Sequence, residues 1–149
     1  MISPQDCLGC QISSGILTPF GGFIYASDLW TVNHVLPPAR ILGWMVLQPR
    51  RHVEAIHELN HSEQVEMAKL ISNLDQVLYK LVSPQKVYAC MFAESEDCPH
   101  IHFHIVPRTS DINAIGPAIF GYKPEVFPSE SEILDFIDKA KSCLSALAL

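Results

Sequence analysis

Basic residues are scarce in this sequence: 10 Lys and Arg stand against 16 Asp and Glu, which gives a formal net charge of −6. Nucleic-acid polymers are bound mainly through their phosphates by a basic surface. The charge balance therefore argues against a nucleic-acid polymer as partner. A single nucleotide is compatible with it, because a few local donors are enough to hold one.

The sequence also lacks a long apolar run, and we expect no secretory leader. A membrane-spanning helix needs about 20 consecutive apolar residues, which no stretch provides, and segment 1–6 has no basic region followed by an apolar one. We therefore expect no membrane partner. The five cysteines are an odd number without a secretory context, which indicates reduced thiols and a cytoplasmic location.

No internal repeat interrupts the 149 residues, of which 48% are hydrophobic. This length supports one core without disulfide staples, so we expect a single domain over residues 1–149. Two helices are predicted from capping-box patterns, one over 61–82 and one from a cap at Ser129 to about Ala146. The Glu and Lys residues of the first helix are expected on its solvated face. Strand patterns surround them without regular alternation, which predicts an α+β class with a mainly antiparallel sheet. The predicted strands cover residues 23–26, 29–34, 41–48 and 86–93, and the segment 116–128 is predicted to be a loop or lid.

What the sequence does contain is a row of three histidines, His100, His102 and His104, separated by single apolar residues. Side chains two residues apart project from the same face of a strand, so the row predicts three imidazoles on one face. Imidazole is a metal ligand, a general base and sometimes a nucleophile. The row alone is therefore compatible with a metal site and with a catalytic site.

Four residues have the chemistry of a closed, four-coordinate zinc site: Cys7, Cys10, His52 and His100. His52 follows an apolar strand, from which it could reach a neighbouring strand. If His100 is a ligand, His102 and His104 remain available for another role. The other histidines are expected at the surface or on helices and not as ligands: His34, His57 and His61.

The row resembles the motif of the histidine triad family of nucleotide hydrolases and transferases. Residues 7–10 resemble the family's N-terminal Cys-x-x-Cys, and residues 43–52 resemble its strand that ends in Pro-x-x-His. The Val-Pro-Arg sequence at 106–108 is similar to the branch that contains dinucleoside polyphosphate hydrolases. The resemblance implies a histidine-triad-like fold, with a five-stranded mainly antiparallel sheet and two helices, and a homodimer.

The resemblance also implies roles for individual residues. His102 would be the nucleophile that attacks an α-phosphorus and forms a nucleotidyl-histidine intermediate. His104 would contact phosphate oxygens and help to place or donate a proton. Asn33 would bind the ribose and Ser95 the phosphate. Zinc-binding members use the Cys-x-x-Cys pair, a histidine like His52 and the first triad histidine, which implies a structural zinc.

Two features depart from the family pattern. Trp44 stands where many members have a histidine, and the loop 94–97 is acidic, with Ser95 as its only hydroxyl donor. Carboxylates within a few Å repel phosphate. Our main hypothesis is a zinc-stabilised enzyme that cleaves a nucleoside 5′-monophosphate conjugate, of the phosphoramidate or the dinucleoside polyphosphate type. The alternatives are a nucleotide-binding module with weak turnover and a protein in which all the histidines bind metal.

Overall fold

The computed structural model describes residues 5–147, which contain five strands, three α-helices and two 3-10 helices. The strands are β1 (Tyr25–Ala26), β2 (Trp30–His34), β3 (Met45–Pro49), β4 (Lys86–Met91) and β5 (Phe103–Arg108). The α-helices are α1 (Leu8–Ser13), α2 (His61–Val82) and α3 (Glu130–Ser145), and the 3-10 helices are Ile56–Glu58 and Gly116–Gly121.

The strands form one antiparallel sheet in the order β1-β2-β3-β5-β4. This confirms the α+β fold with a five-stranded antiparallel sheet and two long helices, to which the structure adds the short helix α1. None of the helices within residues 5–147 combines the length and hydrophobicity needed to span a bilayer.

The two faces of the sheet have different partners. Val32 and Leu47 are cross-strand neighbours, and both are fully buried in a core that includes residues of α2 and α3. Because side chains alternate along a strand, the adjacent row faces the other side of the sheet. Helix α1 lies on this second face, where the Gln48 side-chain amide donates to the Gly9 carbonyl over 3.1 Å. The adjacent row consists of Asn33, Val46, His104 and Cys90.

Both long helices begin where their capping boxes predict. At α2 the Asn60 side chain accepts from the Glu63 amide over 3.0 Å, and the Glu63 carboxylate accepts from the Asn60 amide over 2.8 Å. Ser129 caps α3 in the same way. The charged residues of α2 were expected on a solvated face, and for Glu63 this is wrong. It is 2% exposed and pairs with Arg51 over 2.7 Å.

Several strand boundaries differ from those predicted. Strand β3 begins at Met45 and not at residue 41, because Gly43 has a φ of +86° and interrupts the extended chain. Strand β4 ends at Met91 and not at residue 93, since Ala93 has a φ of 49°. The strand predicted at 23–26 is reduced to β1. Strand β5 begins at Phe103, so the first two histidines of the row precede it.

His34, expected at the surface or on a helix, is instead fully buried in β2. Its Nδ1–H donates to the Val35 carbonyl over 2.9 Å, and its Nε2 accepts from the Gly43 amide over 3.0 Å. Burial lowers the pKa of His34, which matches this neutral donor-and-acceptor arrangement. His34 therefore holds the left-handed Gly43 and fixes the position from which Trp44 projects.

Candidate active site and metal centre

The three histidines of the row do not share one environment. His100 is fully buried, whereas His102 and His104 are partly exposed. The backbone amide between the first two, that of Ile101, donates to the Val53 carbonyl over 2.9 Å. This bond joins the residues just before β5 to the segment that follows β3. It brings the row close to His52.

The structure brings the four predicted metal ligands together. Their ligand atoms all lie within 4.8 Å of one another: Cys7, Cys10, His52 and His100. Cys7 is the N-cap of α1 and Cys10 lies in its first turn, while the two histidines come from segments next to the neighbouring strands β3 and β5. Of the three histidines in the row only His100 belongs to this cluster. This grouping favours the set of four over the hypothesis that all of the histidines bind metal.

Hydrogen bonds orient the imidazoles of His52 and His100 toward the Cys10 thiol. The Nε2 of His100 lies 2.8 Å from the Pro49 carbonyl, and the Nε2 of His52 lies 3.2 Å from the Glu54 carboxylate. Oxygens of these groups only accept, so each neutral ring carries its proton on Nε2. The Nδ1 lone pairs are left facing Cys10 Sγ, at 3.4 Å and 3.1 Å. Outer hydrogen bonds of this kind fix the tautomer of metal-binding histidines.

Without a cation, burial favours the uncharged forms of the groups in this cluster. Burial lowers the pKa of His100 to about 4, and the neutral ring is the form that binds metal. Burial, with the neighbouring Cys7 next, raises the pKa of the Cys10 thiol to about 12. A bound cation would lower the pKa of the Cys10 thiol, because it stabilises the thiolate directly. Two sulfur and two nitrogen donors are a set that suits tetrahedral zinc.

His102 and His104 line a groove of about 240 Å³ on the second face of the sheet. His102 Nδ1 lies 2.9 Å from the His100 carbonyl, so its Nε2 is unprotonated in the neutral ring. The two rings are 5.0 Å apart and nearly perpendicular. Burial, with His102 as a smaller contribution, lowers the pKa of His104 to about 4. Most of the remaining lining is apolar: Leu8, Ile12, Val35, Leu36 and Val46.

Asn33 contributes an acceptor to this groove. Its side chain is buried at 5% exposure, and its amide Nδ2 donates to the His34 carbonyl over 2.9 Å. Within residues 5–147 its Oδ1 accepts no hydrogen bond. A buried acceptor without a partner is costly, which makes Asn33 a candidate binding residue among those that line the groove.

Ser95 lies elsewhere. It is exposed in the acidic loop, its carbonyl accepts from the Cys98 amide over 3.0 Å, and it is not among the residues that line the groove. Cys98 does line the groove and was not singled out from the sequence. Burial raises the pKa of the Cys98 thiol.

An aromatic wall surrounds His104, and two of its members were missed from the sequence. Trp44 Nε1 donates to His104 Nδ1 over 3.1 Å, with ring centres 5.7 Å apart. Phe92 and Phe120 lie 6.3 Å and 5.9 Å from the same imidazole. Phe120 belongs to the 3-10 helix Gly116–Gly121, within the predicted loop or lid. No local pattern identifies Phe92 and Phe120, because only long-range folding brings them to the histidine.

Comparison with known proteins identifies the fold. The family profile described as HIT domain matches residues 23–111, while no protein with a curated description is significantly similar in sequence. The chain is similar in structure to a hypothetical histidine triad nucleotide-binding protein from Sulfolobus tokodaii, with a TM-score of 0.71 and 16% identity over 94% of this chain and 93% of that one. A zinc-bound histidine triad family protein from Mycobacterium smegmatis gives a TM-score of 0.69 and 15% identity over 97% and 96% of the two chains. A histidine triad protein from Marinobacter aquaeolei gives 0.66 and 24% identity over 85% and 90%.

Gly9 allows α1 to lie close to the His100 side chain, and this close approach leads to a prediction. A Cβ at this position would lie 2.9 Å from His100 Cβ, so Gly9→Ala should lower the free energy of unfolding by about 1–3 kcal/mol through overpacking. Gly121→Ala is the control, since its Cβ would meet no atom within 4 Å. Urea unfolding measures both variants. Alanine is roughly 0.5–1 kcal/mol better than glycine in a helix, so a stabilised Gly9→Ala protein would contradict the close approach.

Proposed function

The chain belongs to the histidine triad (HIT) family, and from this premise we propose that it is a nucleotidyl hydrolase or transferase. Its substrate is a nucleoside 5′-monophosphate conjugate, cleaved through a nucleotidyl intermediate on His102. The observation that carries the proposal is the hydrogen bond from His102 Nδ1–H to the His100 carbonyl. It leaves the Nε2 lone pair of a groove-lining imidazole available for attack.

The reaction has two displacements. In the first, the His102 Nε2 lone pair forms a bond to the α-phosphorus, and the bond to the leaving group breaks with its electron pair on the leaving atom, which takes a proton from water. In the second, water attacks the phosphorus, the N–P bond breaks, and its electron pair returns to Nε2 while the proton of the water passes to solvent. The attacked ring is cationic between the two steps, and the His100 carbonyl that accepts from its Nδ1–H stabilises that charge.

The groove suits a nucleoside monophosphate. We assign the unpaired Asn33 Oδ1 to a ribose hydroxyl and the apolar lining near Leu8, Ile12 and Leu36 to the base. His104 is assigned to a phosphoryl oxygen. Ser95 is retained as a second phosphate donor, which requires the acidic loop to close over the bound substrate.

Of the two conjugate types, the charges favour a phosphoramidate over a dinucleoside polyphosphate. No Lys or Arg is among the residues that line the groove. Arg40 lines an adjoining cavity next to Trp44, but its guanidinium donates to the Phe120 carbonyl over 3.0 Å. Three of the four residues in loop 94–97 are acidic. Each additional phosphate would therefore add repulsion without a matching cation.

We propose zinc as the metal of the Cys7, Cys10, His52 and His100 cluster. The donor set and the orientation of both imidazoles support it, as does the zinc-bound relative from Mycobacterium smegmatis. When bound, the ion would supply a structural cross-link between α1 and the segments that carry the two histidines.

A homodimer and a cytoplasmic location complete the proposal. Strand β4 is an edge of the sheet among the described residues and carries partly exposed apolar side chains such as Val87 and Tyr88. An uncovered edge of this kind is suited to pairing with a second copy. All five cysteines are free thiols, which supports a reducing compartment.

For the dimer, we expect light scattering at micromolar concentration to give a mass twice the 16.6 kDa of the chain, because the edge of β4 would otherwise remain exposed. The mass should persist on tenfold dilution, which requires a dissociation constant of about 10 nM or tighter. A mass of one chain at every concentration would rule the dimer out.

For the metal, we expect purified protein to contain about one zinc per chain. Cys10→Ser should lose it and fall in unfolding free energy by more than roughly 2 kcal/mol, because structural metal binding contributes directly to folding. Cys143→Ser, which changes a thiol on α3 outside the cluster, should retain both zinc and stability. Elemental analysis and denaturant titration give the two readings. Wild-type protein that is free of metal and equally stable after chelation would contradict the site.

For catalysis, His102→Ala should reduce turnover of a fluorogenic nucleoside 5′-phosphoramidate by roughly 10⁴-fold or more, because the covalent route is lost. Zinc content and stability should not change, since His102 lies outside the cluster. Rapid quenching of wild-type protein with substrate should trap a nucleotide on His102, detected by mass spectrometry.

The same experiment distinguishes an enzyme from a nucleotide-binding module with weak turnover. If wild-type protein binds nucleoside monophosphate but turns over no conjugate and forms no adduct, the chain is a binding module and the enzymatic proposal fails. His100→Ala serves as the contrasting variant, because it should lose metal and stability together with activity.

A further inference from the structure

We propose that Trp44 is a positioning residue that fixes His104 as a neutral hydrogen-bond donor to the substrate phosphate and prevents it from supplying a proton to the leaving group. The consequence of this role of Trp44 for catalysis rests on the proposed function. Its structural basis, the contact between the indole and the imidazole, does not depend on that function.

The first step is the direction of the hydrogen bond. An indole N–H donates and never accepts, and Trp44 Nε1 lies 3.1 Å from His104 Nδ1. The Nδ1 must therefore be unprotonated, and the proton of the neutral ring is on Nε2. His102 has the opposite tautomer, because its Nδ1 donates to the His100 carbonyl. The two adjacent rings thus offer the groove one Nε2 lone pair and one Nε2–H.

The second step is the charge of His104. Protonation of its Nδ1 would point that N–H at the N–H of the Trp44 indole. The indole therefore disfavours the charged, imidazolium form of His104. Burial acts in the same direction and lowers the pKa of His104 to about 4. The titratable groups around this ring are His102 on its own segment, Cys90 across on β4 and Cys98 in the groove. The aromatic wall itself carries no charge.

The third step is chemical. A neutral imidazole that gave up its Nε2 proton would become an imidazolate, which is too basic to form at neutral pH. His104 can therefore donate a hydrogen bond to a phosphoryl oxygen, where charge develops in the transition state. It cannot act as the general acid, which is why the proton for the leaving atom comes from water in the displacement described above.

The indole is held in place by its surroundings. Its backbone follows Gly43, whose left-handed conformation is fixed by the hydrogen bond to His34. Its ring packs edge-on against Phe120, with centres 5.6 Å apart. Arg40 holds the backbone of Phe120 through its carbonyl. These contacts from separate segments restrict the rotation of the indole and keep its N–H on His104.

The test compares the two tryptophans of the chain. Trp44→Phe removes the N–H and keeps an aromatic ring, while Trp30→Phe removes an N–H that donates to the Glu63 carbonyl on the core side of the sheet. Long-range ¹H–¹⁵N NMR of the imidazoles reports the tautomer of His104 in the resting protein. We expect Nε2–H in wild-type protein and in Trp30→Phe, and a mixture of tautomers with a raised pKa of His104 in Trp44→Phe.

The outcomes are distinct. A proton on Nδ1 of His104 in wild-type protein would overturn the inference without any variant, as would an unchanged tautomer and pKa in a folded Trp44→Phe protein. In the activity assay, Trp44→Phe should lower kcat roughly tenfold with little change in KM, the size expected for one transition-state hydrogen bond. If wild-type protein turns over no conjugate, the proposed function fails, and the NMR result still decides the role of Trp44.

Discussion

The pairing of β3 with β5 is the constraint on which both sites depend. Only three residue pairs define it, among them Val46 opposite His104. It brings His52, after the end of β3, toward His100, and it brings Trp44, before the start of β3, toward His104. A slip of one residue would turn His104 toward the helix face of the sheet. The buried apolar partners Met45 and Ile105 oppose that slip, because it would expose them on the groove side.

His100 connects the Cys7, Cys10, His52 and His100 cluster with the groove. Its ring nitrogen faces Cys10 of the cluster, while its backbone carbonyl accepts from His102. The orientation of the His102 ring is therefore set by a residue whose side chain is buried and bonded to Pro49. In the proposed mechanism this arrangement fixes the tautomer of His102 before substrate binds, which is the basis of electrostatic preorganisation.

No Lys or Arg side chain is among the described residues that line the groove. Its polar groups are the imidazoles of His102 and His104, the Asn33 carboxamide, the Gln48 carboxamide held by Gly9 and a thiol. In the proposed function such groups hold one phosphate through directed hydrogen bonds, and they offer little to a chain of phosphates. The aromatic wall of Trp44, Phe92 and Phe120 extends this neutral character beyond His104.

The sequence by itself determined the features that depend on near neighbours. Both capping boxes act over three residues, so the limits of α2 follow from the local pattern. Cys7 and Cys10 share a side of α1 because of their spacing, and the alternation of the row separates its histidines from the apolar residues between them. The number of strands followed from the likeness to a known family and not from periodicity.

Only the tertiary structure decided the rest. It buried His34 and Glu63, which local patterns placed in solvent, because each has a hydrogen-bond partner 9 or 12 residues away in addition to a near neighbour. It set the start of β3 through the left-handed Gly43, and it joined Trp44 to His104 across 60 residues. A hydrogen bond over such a separation depends on strand register and on packing of both faces of the sheet. Neither the register nor the packing can be predicted from a local pattern of residues.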